Sequence, residues 1–114
     1  MRSINRVTLL GRLRGEPQLG SAGQKSVANF QIETKEEWRS PRGNEHRIGL
    51  HTCVAFGPLA DAVAKCGAGD HIYVEGALRA ARDEATEEAK EIVCFVAIPV
   101  AEPSHEMVGL EQDQ

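Results

Sequence analysis

His51-Thr52-Cys53-Val54-Ala55-Phe56-Gly57-Pro58-Leu59-Ala60-Asp61, followed a few residues later by Gly69-Asp70-His71-Ile72-Tyr73-Val74-Glu75-Gly76-Ala77-Leu78-Arg79, is the stretch that decides the fold. It reads as strand, short helix, glycine stop, strand. Pro58 suits the first helical turn, where the amide it lacks would have no partner anyway. Leu59, Ala62, Val63 and Cys66 recur at helical spacing, and Gly67 or Gly69 ends the run. So short a helix is not stable alone, so it is expected to plug one end of a β structure.

Outward from that block the chain is all strand and turn. Val7, Leu9 and, after Gly11, Leu13 recur at period two, which predicts a first strand over Asn5–Leu13 with Leu10 facing the other way. Glu16-Pro17 ends it, and Gly20-Ser21-Ala22-Gly23 reads as a turn. In Lys25–Thr34, Ala28, Phe30 and Ile32 share one face while Asn29, Gln31 and Glu33 share the other, the pattern of a half-buried antiparallel strand. Residues 38–47 hold Pro, Gly and Asn and read as a loop carrying Arg39, Arg42, Arg47 and the titratable His46.

A third strand follows at Ile48–Phe56, with Ile48, Leu50, Thr52, Val54 and Phe56 on one face. A fourth covers Asp70–Arg79, with Ile72, Val74 and Leu78 inward. Residues 81–90 are a polar loop in which Glu84–Lys90 could wind a helical turn. Glu91–Val100 is the last strand, ended by Pro99 and Pro103. Gly11, Gly15, Gly57 and Gly76 suit barrel corners better than a phosphate cradle, since neither a P-loop nor a strand–GxGxxG–helix unit is present. Five strands with one short helix between the third and fourth is the plan of an OB-fold barrel, whose open face grips single strands. Residues 1–101 form the domain and residues 102–114 a flexible tail.

Composition narrows the function. The chain has 114 residues, one domain's worth, with 41% hydrophobic residues and only 4% aromatic, so each exposed aromatic matters. Net charge is −4, yet residues 1–57 sum to +4 and residues 58–114 to −8, which allows a local basic groove on an acidic chain. Three widely spaced cysteines, Cys53, Cys66 and Cys94, suggest buried free thiols rather than a disulfide frame. With no membrane-length apolar run and no signal-peptide pattern, the expectation is a cytoplasmic protein.

No chemistry of an enzyme assembles. His51 and Cys53 share a strand face and His71 lies on a later strand, but no CxxC or HxxxH spacing makes them metal ligands. Glu84, Glu87, Glu88 and Glu91 are spaced for a solvated helix face or a repulsive rim, not for a catalytic pair. No cofactor is implied.

Taken in order, Asn5-Arg6-Val7-Thr8-Leu9-Leu10-Gly11-Arg12-Leu13 with Glu16-Pro17, Ala28-Asn29-Phe30, Glu37-Trp38-Arg39 and the two opening blocks resemble the bacterial single-stranded DNA-binding protein (SSB) family, in a divergent member. The resemblance implies a homo-oligomer of barrels, a tetramer or a dimer, that binds single-stranded DNA without sequence preference in replication, recombination or repair, close to the nucleoid. It places Trp38 and Phe56 as the rings that stack on bases. Stacking suits such binding because every base has a π-face. Arg6, Arg39, Arg42, Arg47, Arg79 and Arg82 are the expected phosphate contacts, and His51 takes a subunit-interface or core place.

The chain departs from that family at several points. Leu50 and about Asp83 stand where the family has Trp, Thr52 where it has Arg, and Pro58 where it has Lys. The family's long tail with an acidic, Phe-ended tip, which recruits replication and repair partners, has no counterpart in Glu111-Gln112-Asp113-Gln114. Fewer stacking platforms and weaker or narrower affinity are expected. The alternatives are an accessory protein similar to primosomal replication protein N, usually dimeric, and an OB module that binds proteins, which the acidic balance favours.

Overall fold

The computed structural model describes residues 1–80 and 90–101. Its elements in chain order are β1 (Val7–Leu13), β2 (Gln18–Ala22), β3 (Lys25–Ser40), β4 (Gly43–Phe56), α1 (Pro58–Ala64), β5 (His71–Ala80) and β6 (Lys90–Val100). The sheet runs β1-β5-β6-β4-β3-β2, and an added β1–β3 pairing closes five of these strands into a ring. The helix sits between the third and fourth strands of that ring, as expected.

Two glycines make the closure possible. β1 pairs with β5 from Val7↔Gly76 to Arg12↔His71, then crosses to β3 through Arg12↔Glu33 and Leu13↔Ile32. At the crossing a Cβ on Gly11 would run into the Glu33 carbonyl oxygen and lie 2.7 Å from Ile32 Cγ2. Gly76 repeats the device: a Cβ there would strike the Val93 carbonyl oxygen and lie 2.8 Å from Ile92 Cγ2, beside a bulge at Glu75/Gly76. Strands can cross this closely only where one of them lacks a side chain.

The interior is filled by Leu13, Phe30, Ile32, Cys53, Ala55, Ile72, Val74, Ile92, Cys94 and Ala97. Ala28, Phe30 and Ile32 are buried as the alternation requires. Between β4 and β6 the ladder is parallel and short, Cys53↔Ile92 and Val54↔Val93. α1 packs against β3, β4 and β6 beside this seam and inserts Ala60 and Val63, with Cys66 just beyond it; Ala60 rather than Ala62 takes the inner place. Of the described helices none is long and apolar enough to cross a membrane. All three cysteines are free and buried.

Several expectations are corrected. Gly20–Gly23 is not one turn: Gln18–Ala22 pairs with Lys25–Asn29, and only Gly23-Gln24 turns. On β4 the inner face is Gly49, His51, Cys53 and Ala55, because the register sets Cys53 opposite Phe30 and Ala55 opposite Ala28. Only small side chains fit beside Phe30 there, so Ile48 and Leu50 point outward, each 46% exposed. Leu78 is also exposed. β1 stops at Val7↔Gly76, so no strand flanks Leu78 on that side. The Asn5 side chain stands in for one: its Nδ2 donates to Leu78 O at 2.7 Å and its Oδ1 accepts from Leu78 N at 2.9 Å. β6 continues through Pro99 to Val100, because there β6 no longer pairs with β4 and its outer amides need no partner. Glu91 lies on that strand, buried, not on a helix face. The proposed helical turn, Glu84, Glu87 and Glu88, and the tail 102–114 lie outside the described residues.

Two outcomes follow. Gly76→Ala should lower unfolding stability by about 2 kcal/mol or more, whereas Gly20→Ala, with nothing within 4 Å of its Cβ position, should change it by less than about 0.5 kcal/mol; urea unfolding compares them. The hydrogen-bonded contact with Cys94, together with burial, pushes the Cys53 thiol up. Raised pKa means less thiolate at pH 8, so Ellman's reagent should label Cys53 far more slowly in the folded chain than after denaturation.

Candidate nucleic-acid interface

β3 and β4 are longer than the barrel needs. They stay paired from Val27↔Phe56 to Ser40↔Gly43 and project as one ribbon. The segment 38–47, expected to be a loop, is therefore strand, and only Pro41-Arg42 turns. Pro41 fixes φ for the turn, and Ser40 Oγ accepts from the Arg42 amide at 3.1 Å. Hydrophobic periodicity could not reveal this part of the ribbon. Residues 33–47 put charged and polar groups on both faces, so no apolar stripe marks the strands.

Trp38 sits on the ribbon opposite Glu45 and is 42% exposed. The Arg47 guanidinium lies over its ring, 5.8 Å from the centroid. Such a pair is worth about 0.5–1 kcal/mol at an exposed site and holds the ring in place. Phe56, at the base of the ribbon, is partly buried on the outer face. The Arg79 guanidinium lies 5.9 Å from its centroid. Arg79 also reaches the buried Glu91, Nε to Oε1 at 3.3 Å, and its Nη2 is buried without a hydrogen-bond partner among the described residues. Both expected stacking rings thus carry an arginine over one face.

By strand alternation the two rings lie on opposite faces of the pleat: Trp38 continues the row of Phe30 and Ile32, Phe56 the row of Leu50 and Thr52. Two-stranded ribbons twist strongly, which lets a flexible polymer wrapped around one touch both of its faces.

The remaining expected contacts are dispersed. Arg39 stands opposite Asn44 and has no ion pair among the described residues. Arg42, at the tip, is 3.1 Å from Glu45. Arg6 precedes β1, away from the ribbon, and lies 3.6 Å from Glu75, which also accepts the Tyr73 hydroxyl hydrogen bond. That bond holds the Tyr73 phenol above its ordinary range. Arg82 lies outside the described residues. His51 is on the inner face with Nε2 at 2.9 Å from Thr34 Oγ1, a cross-strand pair at the edge of the core. His71 is on β5 and faces away from the interior, so it does not join His51 and Cys53. No three His, Cys, Asp or Glu side chains among the described residues converge on a metal-sized site.

Sequence reasoning missed Phe95, an aromatic 51% exposed where the ladder skips between Gly76↔Cys94 and Glu75↔Val96. Inside an apolar run it gave no signal. It also missed an open cavity of about 350 Å³ on the outer face, lined by Arg14, Gln18, Asn29, Gln31 and Thr52 among others. The alternation had put Asn29 and Gln31 on the polar face without suggesting that anything gathers around them.

With this geometry in view, comparison with known proteins is direct. The chain is 37% identical over 101 residues to single-stranded DNA-binding protein 1 of Chlorobaculum tepidum, covering 82% of this chain and 62% of that protein. The chain therefore spans about three fifths of the length of this curated relative. Among solved structures it resembles the Plasmodium falciparum SSB in complex with single-stranded DNA, with TM-score 0.76, 26% identity, and coverage of 89% of this chain and 98% of that one. A deletion variant of the Thermus aquaticus single-stranded DNA-binding protein shares the fold at TM-score 0.72 and 19% identity, over 86% of this chain and 51% of that one. Residues 4–99, which hold the ribbon and all but the last residue of the barrel strands, match the single-strand binding protein family, and the chain belongs to that family.

Proposed function

We propose that this chain binds single-stranded DNA by wrapping it over the β3–β4 ribbon, with bases stacked on Trp38 and Phe56 and phosphates held by arginines. The observation that carries this reading is the pairing of each accessible ring with a guanidinium, Trp38 with Arg47 and Phe56 with Arg79. A base can stack on the Trp38 face opposite Arg47, while Arg47, which has no ion pair among the described residues, keeps the ring oriented and offers N–H groups to the adjoining phosphate. Arg39 and Arg42 at the far end of the ribbon, and Arg6 before β1, add further cations, and Arg82 is a further proposed phosphate contact. Nothing in this scheme reads base identity, so binding is tolerant of sequence. The Plasmodium relative, solved with single-stranded DNA, has the same fold over nearly all of this chain, which supports the reading.

The activity is binding without catalysis, and its place is wherever replication, recombination or repair leaves DNA unpaired. Residues 1–101 carry it. One barrel offers a short site, and joining copies raises affinity without new contacts. The outer faces of β1, β5 and β6 suit such self-association. There Leu10, Tyr73 and Ile98 stand in register across three strands, with Leu10 58% and Ile98 52% exposed. A tetramer or dimer is the expected assembly.

Trp38 is the chain's one tryptophan, so its fluorescence reports the site. Titration with oligo(dT) should quench it, with a midpoint that weakens as salt rises. Trp38→Phe should bind more weakly than the native chain but better than Trp38→Ala, whose loss, followed by fluorescence anisotropy of labelled DNA, should be about five-fold or more with an unchanged melting temperature. Arg39→Ala should lower the slope of log K against log salt by about 0.7. Absence of DNA binding at low salt would overturn the reading in favour of a protein-binding module.

A further inference from the structure

We infer that the cavity beside the exit of β1 is a nucleobase-edge site: it takes one base of the bound strand by hydrogen bonds rather than by stacking. The inference rests on the single-stranded DNA reading above and adds a contact of a different kind.

Three neutral carboxamides, one hydroxyl and one cation meet there by register. Gln31 on β3 stands opposite Thr52 on β4, and Gln18 on β2 opposite Asn29 on β3. Arg14 is brought to the same place by its backbone amide, which donates to the Gln31 carbonyl at 2.9 Å. The side chains of Gln18, Asn29, Gln31 and Thr52 make no hydrogen bond among the described residues, and Arg14 has no ion pair there. The carboxylate at the rim, Glu16, accepts from the Ala68 amide at 3.3 Å through Oε1. A cavity of about 350 Å³ is therefore ringed by four unpaired amide and hydroxyl side chains and one guanidinium, with the Glu16 carboxylate and Phe30 completing the wall. That volume lies in the range of small-ligand sites.

The donor set selects the ligand. A bare anion would meet a single cation with a carboxylate nearby, so the net field is too weak to hold it. An apolar ligand would leave the amides unpaired. A nucleobase presents donors and acceptors along one edge, and carboxamides present both, so Asn29 and Gln31 can turn to match any base. Arg14 is left for the phosphate of the same nucleotide. The site also lies on the right face. Thr52 and Phe56 share the outer row of β4 four residues apart, about 13 Å along the strand, so a strand stacked at Phe56 can pass over the cavity.

The test compares oligo(dT) with an oligomer of equal length built from N3-methylthymidine, which keeps the ring, the charge and the backbone but blocks the imide edge. Both are titrated against the full chain by following Trp38 fluorescence. The native protein should bind the methylated oligomer about five-fold more weakly. The double variant Asn29→Ala, Gln31→Ala, altered at exposed positions, should bind both equally, with unchanged circular dichroism. Equal affinity of the native protein for the two oligomers would overturn the edge site while leaving the DNA-binding reading standing. Failure to bind either would overturn both.

Discussion

The closure of this barrel depends on two places where one strand passes over the backbone of another with no side chain between them. At Gly11 β1 leaves β5 for β3, and at Gly76 β5 turns across β6. Both contacts are backbone-to-glycine, and a methyl group at either would meet a carbonyl oxygen. Everything else is arranged around that crossing. The small residues Cys53 and Ala55 face Phe30 because the closed ring leaves little width, and α1 fills the side where β4 and β6 barely pair.

A ring closed in this way spends only part of β3 and β4. Their remaining length has no core to cover and becomes a ribbon, held by its own ladder and by charge pairs such as Lys35–Glu37 and Arg42–Glu45. Exposed pairs of this kind contribute little stability. Their consequence lies elsewhere: a polar, twisted ribbon can present aromatic rings to solvent without inviting collapse onto the core. The guanidiniums over Trp38 and Phe56 orient those rings, so less side-chain entropy would be lost in the proposed stacking on a base.

The proposed binding of a polyanion by an acidic chain is less of a contradiction in this light. Arg39, Arg42 and Arg47 lie along the ribbon and Arg79 at its base. Of the carboxylates near them, Glu45 and Glu91 are already paired with arginines, and so are partly neutralised within the protein. Net charge averages over a surface that a bound strand does not sample.

Sequence alone determined the barrel. Period-two patterns in Val7–Leu13 and Lys25–Thr34, the Pro58 helix and its glycine stop are local signals, and each element's type follows from side chains within a few residues of one another. The family resemblance carried by Glu37-Trp38-Arg39 also singled out Trp38. Only the tertiary structure decided which phase of β4 faces inward, because Ile48, Leu50, Val54 and Phe56 are as apolar as the inner row and the choice rests on pairing with β3. It alone turned residues 38–47 into strand, set each arginine over its ring, and gathered Arg14, Gln18, Asn29, Gln31 and Thr52 around one cavity. Those juxtapositions join residues far apart in the chain. They are fixed by register and closure, which no local pattern of side chains encodes.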